Sequence, residues 1–141
     1  MASPLKAWVT TFPYGAKYSN GTIHKGIDGR AKVGTPVYAA VPGVIVHAGV
    51  HKFRKGWGTA FGIHVIVDND KFSDGDAGLW AGYCHLSKVA VHVGQRVSKG
   101  DLVGYSGNTG RSTAPHLHFQ ILASRTWNPK KHVNPKRWME A

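Results

Sequence analysis

The chain has a single cysteine, few acidic residues and no long apolar run. A lone Cys84 cannot form a disulfide within the chain, so cysteine usage neither staples the fold nor fixes a redox compartment. No stretch approaches the roughly 20 apolar residues that a membrane-spanning helix needs. The opening MASPLKAWVTTF lacks the apolar core of a signal peptide, so no standard export leader is expected. Helical periodicity is missing as well: no segment sustains an apolar repeat of about 3.6 positions, which argues against a helix bundle. The shortage of acid leaves 18 Lys+Arg against 7 Asp+Glu, a formal charge of +11 before any of the 9 histidines is protonated. Such a surface attracts polyanions, whether nucleic acid, anionic lipid or an anionic wall polymer.

What is present points to strands. With 42% hydrophobic residues the chain has enough apolar material for a core, and its 141 residues suit one domain. The 18 glycines and 7 prolines fit many turns between short strands. GTPVYAAVPGVIVHAGV (34–50) reads as two β segments broken at Pro42-Gly43, and GIHVIVD (62–68) as a β-branched strand. A polar loop (69–79) separates it from LWAGYCHL (79–86), and PHLHFQIL is the last convincing strand. VAVHVGQRVSKGDLVGYSG suits short strands joined by tight turns. The expectation is a mainly β fold: one small domain over residues 1–141, built of antiparallel sheets.

Three stretches carry chemistry. In PHLHFQ, His116 and His118 are two apart, so on a strand both project to one face while Leu117 and Phe119 enter the core. In HKGIDGR (24–30), His24 and Asp28 are four apart and converge on either a strand or a helix. Imidazole plus carboxylate is a donor set suited to zinc. In GYCHLS (82–87), His85 lies near a strand end. Four histidines and one aspartate exceed the three protein ligands of a catalytic zinc, which leaves surplus imidazoles for proton transfer.

The ordered set H-x-x-x-D, Y-x-H-L-S and G-N-T-G-x-S-T-x-x-H-L-H-F resembles the M23 family of zinc metallopeptidases, the lysostaphin- and LytM-like endopeptidases of bacterial peptidoglycan. The likeness runs from about Ile23 to Pro135. It implies a lysostaphin/LytM-like catalytic domain with a long groove on one sheet face, walled by loops such as 49–60 and 68–80. It further implies that His24, Asp28 and His118 bind one Zn2+, and that His85 and His116 form the catalytic pair, their separate roles unassigned. The substrate implied is the peptide stem or cross-bridge of peptidoglycan, with anionic wall polymers as further partners and no specific nucleic acid. Relatives cut glycyl-glycine bridges or D-alanyl-diaminopimelate cross-links. The direct cross-link is preferred here because no wall-binding domain accompanies the motifs. A bacteriophage endolysin acting as a monomer, from the host cytoplasm or the virion, fits the missing leader; a secreted enzyme whose leader was removed is the other origin. The alternative function is a non-catalytic wall-binding or hydrolase-activating module of the same fold, which usually lacks ligands that this chain keeps.

Some positions depart from the family pattern. TFPYGAKY stands where relatives show an F-G-x-R-like stretch, Gly29-Arg30 follows Asp28 in place of an apolar residue and alanines, and Cys84 precedes His85 where alanine is common. Cys84 is expected to be a small buried residue, since a strand sends neighbours to opposite faces. His47, His51, His64, His92 and His132 are expected to be ordinary histidines. Trp57, Trp80, Trp127 and Trp138 are expected to pack in the core or loops, and GNTG to form a turn.

Overall fold

The computed structural model describes residues 1–50, 59–69, 78–123 and 131–139. Within them lie strands β1 (Thr10–Phe12), β2 (Ile27–Arg30), β3 (Pro36–Tyr38), β4 (Gly43–Gly49) and β5 (Ile63–Asp68). They continue with β6 (Leu79–Val89), β7 (Arg96–Val97), β8 (Leu102–Ser106), β9 (His116–Ala123) and β10 (His132–Val133). The helical content described is one 3-10 turn (Thr59–Phe61) and a short helix α1 (Lys136–Met139). The main path of neighbours is β1-β2-β9-β6-β5-β4-β7, with β8 linking β3 to β6 and β10 added to β9. Every pairing is antiparallel, as expected from the sequence. The break at Pro42-Gly43 falls between β3 and β4, and the PHLHFQIL strand is β9. No helix among the described residues is long and apolar enough to cross a membrane. The loops 49–60 and 68–80, read as groove walls, lie largely outside the described residues, as do His51, Trp57 and Trp127.

Alternation in β9 builds the two faces of the sheet. Leu117, Phe119 and Ile121 are buried in the main core with Tyr83, Val65, Val67, Ile45 and Ile27. Fully burying a side chain of this size contributes about 1.5–3 kcal/mol. On the opposite face Leu122 joins Trp80 and Ile66 in a smaller cluster, so Trp80 packs in the interior as expected.

β6 is the hinge of the architecture. It pairs with β9 as far as Cys84↔His118, then with β8 from Leu86↔Ser106. On its other edge Tyr83 faces Val65 and Leu86 faces Ile63, so Cys84 and His85 stand opposite the single residue His64. This is a β-bulge, and bulges re-aim side chains. His85 takes φ 62°, the one non-glycine residue with positive φ among those described. Regular alternation places Cys84 on the face of His118 and His85 on the core face. The left-handed backbone instead brings His85 round to the face of His116 and His118.

Candidate metal centre and cleft

Asp28 and His118 are directly opposed across the β2–β9 ladder. His24 reaches the same point from the segment before β2, where its main chain is held by hydrogen bonds to Gly15 and Ala16. His118 Nδ1 lies 3.0 Å from Asp28 Oδ1, His24 Nε2 lies 3.2 Å from the same oxygen, and the two nitrogens are 3.1 Å apart. His24, Asp28 and His118 are the group among the described residues whose donor atoms converge closely enough to hold a metal ion.

The chemistry of these donors fits zinc. His24 Nδ1 is 3.1 Å from the Pro13 carbonyl, which only accepts, so Nδ1 carries the proton and the Nε2 lone pair points inward. Burial by itself raises the Asp28 carboxyl, but the adjoining His118 and His24 imidazoles hold it well below the ordinary carboxylate range. It is therefore an anion at neutral pH. Two imidazole nitrogens and one carboxylate oxygen aimed at a shared point is a zinc donor set. Tetrahedral bonds of about 2.0 Å separate donors by about 3.3 Å, close to the spacing found here.

Two more imidazoles overlook this point. His85 and His116 have ring centroids 4.9 Å apart, and His85 lies 6.0 Å from His118. His85 Nδ1 is 2.7 Å from the Thr109 carbonyl and His116 Nδ1 is 2.7 Å from the Ala114 carbonyl. Each Nδ1 therefore donates, which leaves both Nε2 atoms as bare acceptors. Burial, offset in part by the Thr109 bond, pushes His85 down to about 4, so its ring is neutral at pH 7. His116 Nε2 stands 3.6 Å from Asp28 Oδ2. All five residues expected from the sequence thus gather at one place. His85, His116, His118 and Asp28 open onto a cleft of about 570 Å³ that Tyr18 and Arg111 also line.

Thr109 went unread in the sequence. Its hydroxyl donates to Leu86 O at 2.6 Å and accepts from Ile63 N at 3.1 Å, tying the GNTG turn to β5 and β6 while its carbonyl holds His85. The Gly29 departure also has a cause: a Cβ there would lie 2.7 Å from the Trp8 ring. Cys84 is fully buried, and burial, reinforced by the Asp28 charge, pushes its thiol up, so it is no nucleophile. Of the remaining histidines, His92 is exposed and His132 Nδ1 meets Tyr14 Oη at 2.6 Å. His47 stacks on the fully buried His64 at 4.1 Å.

The β scaffold thus sets a group able to hold a metal ion beside an open cleft lined by further imidazoles. The sequence pattern of peptidase family M23 matches residues 22–135, and the chain belongs to that family. It is similar to the glycyl-glycine endopeptidase ALE-1 of Staphylococcus capitis, 43% identical over 124 residues that make up 84% of this chain and 31% of the relative. It is also similar to the peptidoglycan DD-endopeptidase ShyA of Vibrio cholerae, 38% identical over 99 residues, 70% of this chain and 20% of the relative. The chain thus spans less than a third of the length of either. Among solved structures, the catalytic domain of the antimicrobial peptidase lysostaphin from Staphylococcus simulans gives a TM-score of 0.79 at 32% identity, covering 95% of this chain and 93% of that one.

Proposed function

We propose that the chain is a zinc endopeptidase that hydrolyses peptide cross-links of bacterial peptidoglycan, with one ion held by His24 Nε2, Asp28 Oδ1 and His118 Nδ1. The observation that carries this reading is the meeting of those three atoms, each within 3.2 Å of the other two, beneath the His85–His116 pair. Zinc held there supplies Lewis acidity to the scissile carbonyl and to the attacking water.

The protein's own groups do the rest. His85 and His116 line the cleft with each Nδ1 tied to a main-chain carbonyl, so their Nε2 atoms are left to take the proton from the attacking water and return it to the leaving amine. Once protonated, an Nε2–H of this pair also donates to the oxygen of the tetrahedral intermediate. Water is the nucleophile, and no covalent enzyme intermediate is involved. The open cleft admits an extended peptide, and the +11 charge favours a wall polymer bearing carboxylates and phosphodiesters.

The test uses purified walls of two chemistries, one with glycine bridges and one with direct D-alanyl-diaminopimelate links. Mass spectrometry of released fragments identifies the bond. Activity is expected to vanish with a chelator, return with added zinc, and be absent in His118→Ala. A His118→Ala variant that digests walls at the parental rate overturns the reading, and so does a parent that binds wall without releasing fragments.

A further inference from the structure

The inward-facing nitrogen of His118 requires its other nitrogen to carry the proton. An imidazole exposed to water divides itself between two tautomers and several ring orientations. His24 is locked by a main-chain carbonyl, but β9 offers His118 no such carbonyl. The neighbour that meets it is a side chain: Gln120 Oε1 lies 2.9 Å from His118 Nε2. Gln120 is 3% exposed, a buried polar residue on the same face of β9 two positions beyond His118. Its partner across the β6–β9 ladder is Gly82, which has no side chain to compete for that space.

We infer that Gln120 is a positioning residue for the metal: its amide oxygen accepts the Nε2–H of His118 and so fixes the tautomer and the ring plane that aim Nδ1 at Asp28 and His24. The inference rests on the zinc reading above and extends it to a residue outside the ligand set. A carboxyl oxygen in the same place is also a hydrogen-bond acceptor, but its charge is costly to bury and makes the imidazole a stronger electron donor. Glutamine holds the ring with a neutral oxygen. The net charge of the protein donors then stays at that of Asp28 alone, and the ion keeps its Lewis acidity.

The test compares Gln120→Leu, Gln120→Met and Gln120→Glu with the parent, reading zinc affinity by competition with a chromogenic chelator. Losing the acceptor in the Leu and Met variants is expected to weaken zinc binding roughly 10- to 100-fold. Gln120→Glu, which restores an acceptor, is expected to bind at least as tightly as the parent while its kcat falls and its KM is unchanged. Cobalt(II) bound in place of zinc should show an altered visible spectrum in the Met variant and a parental band pattern in the Glu variant. A purely structural role moves the unfolding midpoint of the metal-free protein and leaves these readouts alone. If Leu should fail to fold, Met, of similar length and without an oxygen, decides the matter. Parental zinc affinity in the folded acceptor-free variant overturns the inference, as does a Glu variant that binds no better than Met. A parent that takes up no zinc at all overturns the underlying reading instead, so the two failures are told apart.

Discussion

His85 and His116 face each other 4.9 Å apart and are fastened by the same device, a main-chain carbonyl on Nδ1 from Thr109 in one case and Ala114 in the other. The two carbonyls belong to one connection, the segment between β8 and β9, so a single loop sets the tautomer of both rings. The same stretch, from Gly107 to Pro115, also lends Arg111, Ser112 and Thr113 to the wall of the cleft.

Thr109→Val tests this arrangement. The valine keeps the shape and the carbonyl but removes the hydroxyl that bridges Leu86 O and Ile63 N. Leaving a buried partner unsatisfied costs about 1–3 kcal/mol, and the loop then holds His85 less firmly. Wall hydrolysis is expected to fall about tenfold, less than the roughly 10²–10⁴-fold that loss of a proton-transfer group costs, because the His85 ring is loosened and not removed. Zinc affinity should stay parental, because Thr109 touches none of the three donors. A matching loss of zinc binding in the chelator assay contradicts this division of labour.

The backbone at His85 makes a second prediction. Its φ of 62° lies in the left-handed region, where a Cβ costs roughly 1 kcal/mol or more and glycine is free of the penalty. His85→Gly and His85→Ala both lose the imidazole and should both lose hydrolysis. In unfolding by denaturant, the glycine variant should be the more stable by roughly 1 kcal/mol. That reverses the usual order of alanine over glycine in a strand. Equal midpoints, or alanine ahead, show that the bulge relaxes and that the ring is aimed by other contacts.

These residues also mark where the sequence stops being legible. The step of two in His116-Leu117-His118 is a property of any strand, so the shared face of the histidines could be read from spacing alone. The spacing of His24 and Asp28 allowed them to converge, but His24 arrives from the segment before β2 and not by strand alternation, and it was the ordered motifs that led to the family and its fold. The bulge was not: a histidine with left-handed φ has the same letter as any other, and strict alternation places it on the wrong face. Thr109, Ala114 and Pro13 act through carbonyls that every residue carries, so composition gives no hint of them. Gln120 stood in the quoted stretch, but its role depends on which side of the His118 ring it meets, and spacing does not contain that.

His64 predicts a pH dependence of stability. Burial, with a smaller push from His47 and against the bond to the Gly62 carbonyl, lowers its pKa from 6.5 to about 4, and its Nε2 has no hydrogen-bond partner among the described residues. Above pH 6.5 the folded and unfolded chains both hold it neutral, and it contributes no slope. Below that the unfolded chain takes up a proton that the folded one refuses, so stability falls as the pH drops from about 6.5 to about 4. The maximal slope from one such group is about 1.4 kcal/mol per pH unit. His64→Phe removes the titration and keeps an aromatic ring. Urea unfolding of both proteins at pH 7 and pH 4.5, with chelator present, should show the parent losing more stability than the variant by about 2–3 kcal/mol. Parallel losses mean that His64 is protonated in the folded state without penalty.

Gly26 sits where the ligand ring needs room. A Cβ on it would approach His118 Cε1 and Nε2 to 2.7 Å and the Phe119 carbonyl oxygen to 2.6 Å. Its φ lies outside the left-handed region, so the backbone tolerates alanine and the conflict is with the imidazole and the β9 main chain. The ring cannot yield without leaving Gln120 on one side or turning Nδ1 away from Asp28 on the other. Gly26→Ala is therefore expected to weaken zinc binding at least about tenfold, the cost typical of disturbing a ligand's support, and to lower hydrolysis with it. Gly21→Ala is the control: a Cβ there meets nothing within 4 Å, but φ is 87°, so it strains the backbone away from the metal. That variant should lose roughly 1 kcal/mol of stability and keep parental zinc affinity. Zinc competition together with thermal unfolding of the metal-free proteins separates the two effects. A Gly26→Ala protein that binds zinc as the parent does means that His118 has a second pose able to reach the ion, and the tight packing around its ring is then not what aims it.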